Sequence, residues 1–283
     1  MVRSLTLGAP ATFPGPMARD GNRKYHDRVA GKYDSIYDTP YWRFYRDVSW
    51  RHLKPFLPAT RPAWAADLGC GTGWFGCRLL KSGLNCVFLD PSGAMLGEAK
   101  AAAEAESSRG LATRFVQSGM EQMGEIEDGL LDFATGQGDP LSFCEQPARA
   151  LAELARIVKP GGHVVLSVDS RVAGVKSLLG EKSPELALEL LRTGRTKWKS
   201  DRTEEAFGMK MFEPDELKAL LERAGFECKS LIAKTCLVQR GNDAWLDAPA
   251  QMRELLAAEE RVHGRPEWFG LAGHLQIAAQ RRA

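Results

Sequence analysis

The 283-residue sequence contains no pair of cysteines at C-x-x-C spacing. Its six cysteines, Cys70, Cys77, Cys86, Cys144, Cys228 and Cys236, are scattered, most of them in apolar surroundings. That excludes a zinc ribbon or a disulfide framework and reads as small buried hydrophobes in a reducing compartment. No metal is expected. There is no apolar run approaching the roughly 20 residues of a membrane span. The start, MVRSLTLGAPATFPGPMARDGNRK, lacks the long apolar core of a secretory signal. Its proline, glycine and small residues read as a disordered leader over 1–23, with Met17 a second candidate start. Charge of one sign is also lacking. The formal net charge is +2, which leaves no global footprint for nucleic acid or a membrane surface. A cytoplasmic protein with neither of those partners is expected. What remains, 44% hydrophobic and 26% charged residues, is ordinary for a globular chain. The length suits one large α/β domain with additions.

The informative stretch is Ala63 to Gly76, AWAADLGCGTGWFG. A short apolar run ends in Asp67 and breaks into Gly69, Gly71, Gly73 and Gly76. The pattern predicts a buried strand, a tight glycine loop and the first turn of a helix. Residues without Cβ accept positive φ and let a ligand lie against the backbone. One strand later, Asp90 closes the apolar run from Cys86 to Leu89. It is placed at the carboxyl end of the second strand, where an acid holds two ribose hydroxyls. Two registers compete. Gly71, Gly73 and Gly76 spell G-x-G-x-x-G, the dinucleotide fingerprint, which on its own is a weak signal. The earlier register, Asp67-Leu68-Gly69-Cys70-Gly71-Thr72-Gly73, resembles the first motif of the class I S-adenosylmethionine-dependent methyltransferases of small molecules. An acid beside this loop repels a pyrophosphate but suits an ammonium and a sulfonium, so the second register is preferred.

The resemblance covers roughly Tyr25 to Gln280. It implies an α/β fold: a seven-stranded, mostly parallel sheet with an antiparallel last strand and helices on both faces. The segment 24–60 is expected to be an aromatic-rich helical lid, 61–283 the core, and 170–212 a substrate-cover insertion. The resemblance also implies S-adenosylmethionine as cofactor, with S-adenosylhomocysteine as product. Gly69, Cys70 and Gly71 would contact it through the loop, and Asp67 and Asp90 through carboxylates, with Pro91 following. Tyr25, Tyr33 and Arg43 are the lid candidates for its carboxylate and sulfonium. Met95 either packs on the adenine or belongs to the core. Family members commonly carry an acid near Gly119 for the adenine amino group, and this sequence does not. Met120 offers an apolar face and a backbone N–H instead, with Glu121 beside it.

Leu130 to Thr135 is the fourth strand and runs into Gly136-Gln137-Gly138-Asp139-Pro140. The carboxyl ends of parallel strands carry the ligand site, so this turn belongs beside the transferable methyl. Gln137 and Gly138 are expected to meet the cofactor through their backbone. Asp139 caps the following helix or acts as an acid/base. His274, on the last strand, is a core-edge residue or faces the site. Tyr25, Asp139 and His274 are the candidates for a base. The basic residues around Trp198 (Arg192, Arg195, Lys197, Lys199, Arg202) read as a solvated helix end and loop. The expected reaction is methyl transfer to a small-molecule N, O or C nucleophile, in a monomer or homodimer of a natural-product pathway. The alternatives are a nicotinamide oxidoreductase using the literal G-x-G-x-x-G, a nucleic-acid or protein methyltransferase, and a catalytically silent cofactor-binding subunit. Neither a hydride-site constellation nor a broad basic face is evident.

Overall fold

The computed structural model describes residues 20–106, 110–198, 201–238, 241 and 244–283. The expected leader therefore lies almost wholly outside them. Its last residues do not: helix α1 already spans Gly21–Val29. Two more helices follow, α2 (Tyr33–Ile36) and α3 (Pro40–Leu53). The core then alternates strand and helix: β1 (Trp64–Leu68), α4 (Trp74–Lys81), β2 (Asn85–Leu89), α5 (Gly93–Glu106), β3 (Thr113–Val116), β4 (Leu131–Gly136), α6 (Pro147–Ile157) and β5 (Val158–Asp169). The insertion holds α7 (Arg171–Gly180), α8 (Pro184–Thr193) and an antiparallel hairpin of β6 (Arg195–Trp198) and β7 (Phe207–Lys210). The chain closes with α9 (Pro214–Arg223), β8 (Phe226–Lys234), α10 (Pro249–Val262) and β9 (His274–Arg281).

Seven strands form one sheet in the order β3-β2-β1-β4-β5-β9-β8, with β9 antiparallel to both neighbours. Alternation along each strand builds two cores. Ala65, Cys86, Phe88, Phe133 and Val165 face Leu79 and Leu80 of α4 and Leu96 and Ala99 of α5. The intervening residues Ala66, Leu68, Val87, Leu89, Ala134, Val164 and Leu166 face α6 and α9. Strand order reverses between β1 and β4, so the carboxyl ends of β1, β2 and β4 open onto one crevice. No helix among the described residues is long and apolar enough to cross a membrane.

Two sequence expectations change. The segment 24–60 is helical, but α3 is a core element: Tyr41, Phe44 and Val48 are buried against Ile232 and Leu256. Helices α1 and α2 border the crevice too, and α3 adds Tyr41, Trp42, Tyr45 and Arg46 to its wall. The basic stretch around Trp198 is a strand rather than a solvated loop, because Arg195–Trp198 pairs with Phe207–Lys210; Lys199 lies outside the described residues. Strand β5 begins at once after α6, running through Lys159-Pro160-Gly161-Gly162 with a register irregularity against β4.

Asp67 is corrected as well. It is 1% exposed and does not line the crevice. Its Oδ2 accepts the Gly76 N–H at 2.7 Å, holding the start of α4 beneath the glycine loop. Gly76 is required there, since a Cβ would run into the Phe88 ring. Burial pushes the Asp67 carboxyl up to about 8, against the hydrogen bond from Gly76. A raised folded-state value stabilises the fold below the ordinary carboxyl range and is lost as pH rises through about 8. Asp67→Asn should therefore flatten this pH dependence, raising Tm more at pH 9 than at pH 5. A Tm difference independent of pH, by calorimetric scanning, would contradict the assignment.

Candidate active site

The crevice is a cavity of about 1440 Å³. Its floor is the loop Gly69-Cys70-Gly71, where Gly69 (φ 64°) and Gly71 (φ 53°) take left-handed backbone. Gly69 is also packed: a Cβ there would lie 2.6 Å from Pro140. Gly73 and Gly76, the later glycines of the dinucleotide register, do not line the cavity and pack on Ala99 and Phe88 instead. At the end of β2, Asp90 is 6% exposed and lines the cavity. Its Oδ2 accepts the Gly71 N–H and its Oδ1 the Ser92 N–H, both at 2.9 Å. Burial raises its pKa, opposed by those two hydrogen bonds. A carboxylate has about four acceptor positions, so those left over suit a vicinal diol.

Pro91, Gly119, Met120, Glu121, Gln137 and Gly138 border the same cavity. A Cβ at Gly119 or Gly138 would meet nothing within 4 Å, so the backbone faces open space at both. Met120 is 4% exposed and supplies an apolar wall. Glu121 accepts the Gln146 N–H, which leaves the remaining oxygen for a ligand. The Gln137 side chain turns inward to Thr135 and the Val165 carbonyl, so only its backbone serves the cavity. This set fits S-adenosylmethionine: a buried diol acceptor, an apolar adenine wall, and a glycine floor open to an amino-acid tail.

Tyr25 and Tyr33 line the cavity from the lid. Helices α1 and α2 are tied down at three points. Ser92 Oγ donates to Asp27 at 2.5 Å, and Thr72 Oγ1 donates to Asp34 at 2.6 Å. Arg28 donates to both oxygens of Glu205 at 2.6 Å, linking α1 to the turn between β6 and β7. Beside that fork, the Tyr25 ring lies 4.3 Å from the Trp198 ring, which stacks on Phe207 at 4.9 Å. Helix α1 and the insertion thus meet at one edge of the cavity.

Several predicted residues are placed elsewhere. Arg43 does not line the cavity; it is paired with Asp38 and Asp247 on the surface. Arg46, one turn further on, does line it, and donates to the Tyr37 and Trp42 carbonyls. The aromatic-basic pattern marked the helix but gave no means of choosing between the two arginines. Met95 is fully buried with Val29 and Ala30 under the lid, the core outcome. Tyr25 shares no hydrogen bond or ring contact with Asp139 or His274 among the described residues. Burial first, then Tyr37, pushes its hydroxyl up to about 12, so it is a poor base.

Asp139 and His274 are brought together. His274 Nδ1 lies 2.7 Å from Asp139 Oδ2 and 3.7 Å from Asp169 Oδ1, and all three residues line the cavity. Asp139 precedes Pro140 in left-handed backbone (φ 68°), and its side chain does not cap the short helix that follows. Its N–H donates to Ser167 Oγ at 3.0 Å, which turns the carboxylate towards β9. Burial alone would raise its pKa, but His274 and the more distant Lys234 hold it low. The carboxylate is off the line of an Nδ1–H, so the contact is a close polar approach rather than an aligned hydrogen bond. Two acceptor lone pairs do not approach to 2.7 Å. Nδ1 therefore carries the proton, and Nε2 is the free acceptor. Tyr45 was not singled out from sequence. Its hydroxyl stands 3.4 and 3.5 Å from the two Asp139 oxygens.

Residues 66–166 match the family described as a methyltransferase domain. The chain is 32% identical over 171 residues to the ubiquinone biosynthesis O-methyltransferase of Pseudomonas aeruginosa. That alignment spans 60% of this chain and 66% of the relative, just under two thirds of its length. A putative S-adenosylmethionine-dependent methyltransferase from Listeria monocytogenes superimposes with a TM-score of 0.57 at 18% identity, covering 84% of this chain and 100% of that one. The 1,6-didemethyltoxoflavin-N1-methyltransferase of Burkholderia thailandensis, solved with S-adenosylhomocysteine, gives 0.57 at 16% identity over 97% and 95% of the two chains. Residues 66–166 thus carry a methyltransferase domain, and the chain has the fold of these S-adenosylmethionine-dependent methyltransferase structures, with a seven-stranded sheet.

Asp90→Ala should weaken S-adenosylhomocysteine binding by about 1.5–3 kcal/mol, through loss of charge-assisted hydrogen bonds. Unchanged affinity in calorimetry would remove Asp90 from the site. Arg28→Ala should release the lid and speed S-adenosylhomocysteine dissociation roughly tenfold. An unaltered rate in stopped-flow fluorescence would show that the fork does not restrain the ligand.

Proposed function

We propose that the protein transfers a methyl group from S-adenosylmethionine to an oxygen of a small, partly aromatic or apolar acceptor. When bound, the cofactor supplies an electrophilic methyl on a sulfonium. Asp90 and the glycine loop hold its nucleoside side, and Arg46 is in place for its carboxylate. The observation that carries the oxygen reading is the His274–Asp139 pair at 2.7 Å, lining the same cavity as Asp90. A hydroxyl gains most from a base. His274 Nε2 takes the acceptor proton as the oxygen attacks the methyl, and ionised Asp139 stabilises the imidazolium. The proton ends on His274, and the methyl bond to sulfur breaks as the bond to oxygen forms. Burial keeps Tyr45 protonated, as a hydrogen-bond donor to this pair. The insertion supports a small acceptor by walling the cavity with Leu178, Leu190, Met209 and Met211. The relative's name as an O-methyltransferase points the same way. Six free cysteines agree with a cytoplasmic enzyme, and a natural-product pathway suits an apolar aromatic acceptor.

The test is methyl-labelled S-adenosylmethionine with a panel of phenols, catechols and aromatic amines. Label is expected on oxygen, and His274→Gln should lower kcat by about 100-fold or more while S-adenosylhomocysteine affinity holds. Label found only on nitrogen or carbon, or a His274→Gln enzyme with wild-type kcat, would overturn the reading.

A further inference from the structure

Lys234 ends β8 and is fully buried. Among the described residues it has no carboxylate within ion-pair distance. Its Nζ donates to Ser49 Oγ at 3.1 Å and lies 3.5 Å from Gln137 Oε1. Its other close partner is the face of the Tyr45 ring, 3.7 Å from Nζ to the centroid. An ammonium taken wholly out of water costs several kcal/mol unless compensated. A methionine or leucine would fill the same volume without that cost. Burial pulls the Lys234 pKa down to about 7, with Asp139 and Asp169 acting against it.

The cation is one residue away from the acceptor-side pair. Tyr45 lies under it, and the Tyr45 hydroxyl is shared between the Asp139 oxygens and Ser167 Oγ at 3.3 Å. Those contacts are long for O–H···O hydrogen bonds, so they do not fix the ring by themselves. A desolvated cation on the ring face holds it more strongly and draws electron density from the phenol, which makes the hydroxyl a better donor. The groups facing this centre are Tyr45 and His52 from α3, Gln137 and Asp139 from the loop after β4, Asp169 from β5 and His274 from β9.

We propose that Lys234 is a positioning residue for methyl transfer: stacked on Tyr45, it sets the hydroxyl that holds Asp139 against His274. The proposal rests on the His274–Asp139 reading above. It gives the buried cation a role that hydrogen bonds to Ser49 and Gln137 do not explain.

The test needs no acceptor. Long-range 1H–15N spectra of the full chain, saturated with S-adenosylhomocysteine, report which nitrogen of His274 carries the proton, and His274→Gln assigns the signal. The wild type should show one tautomer, protonated on Nδ1. Lys234→Met should give a mixture of tautomers, Lys234→Arg should restore the single form in part, and both should bind S-adenosylhomocysteine within twofold of wild type. Should Lys234→Met fail to fold, Tyr45→Phe removes only the hydroxyl and should produce the same mixture. His274 signals unchanged in Tyr45→Phe, or in a folded Lys234→Met, would overturn the proposal. Asp139→Asn separates the two readings. If it too leaves His274 unchanged, the pair itself is wrong. If it alone disturbs His274, only the role of Lys234 falls.

Discussion

Two carboxylates hold one loop, and the rest of the site depends on that constraint. Asp67 grips the start of α4 from below through the Gly76 N–H, and Asp90 grips Gly71 and Ser92 from the side. The loop between them is forced into left-handed backbone at Gly69, Gly71 and Gly73, which glycine adopts without strain. The floor of the cavity is thereby fixed before any ligand arrives. Because β1 and β2 end side by side in a parallel sheet, the two acids also fix where that floor sits relative to β4 and Asp139.

The two ends of the cavity are then finished by different parts of the chain. Over the cofactor side, α1 and α2 are fastened to the core by Asp27 and Asp34, and α1 to the insertion by Arg28. The Arg28 fork reaches a nearly buried Glu205 in the insertion, so two segments far apart in sequence close one roof. Over the acceptor side, β9 runs back against β5 and delivers His274 to Asp139. That antiparallel strand matters chemically, because its first residue arrives at the carboxyl ends of the parallel strands. Lys234, at the far end of neighbouring β8, reaches the same level of the sheet.

Much of this was legible in the sequence, and for stated reasons. Apolar runs ending in Asp67 and Asp90 marked β1 and β2, since buried parallel strands are continuously apolar. Ser92 Oγ accepts the Met95 N–H at the start of α5, the place where a serine is favoured. What escaped was decided by tertiary geometry. Asp67 and Asp90 look alike in sequence, yet one is sealed under the loop and the other opens on the cavity. Arg43 and Arg46 sit on one helix, and only the turn of α3 against the core selects Arg46. Asp139 before a proline reads equally as a cap. Its left-handed backbone, which no pattern shows, turns it to His274 instead. The charges around Trp198 read as a solvated helix end and loop because no pattern in them shows the pairing with β7.

The most direct measurement is calorimetric titration of the full chain with S-adenosylmethionine and, separately, with NAD. The account predicts micromolar, one-to-one binding of S-adenosylmethionine and none of NAD, because Gly73 and Gly76 are used for packing and an acid flanks the loop. Binding of NAD alone would mean that the loop serves the dinucleotide register after all, and the methyl-transfer account would fall with it.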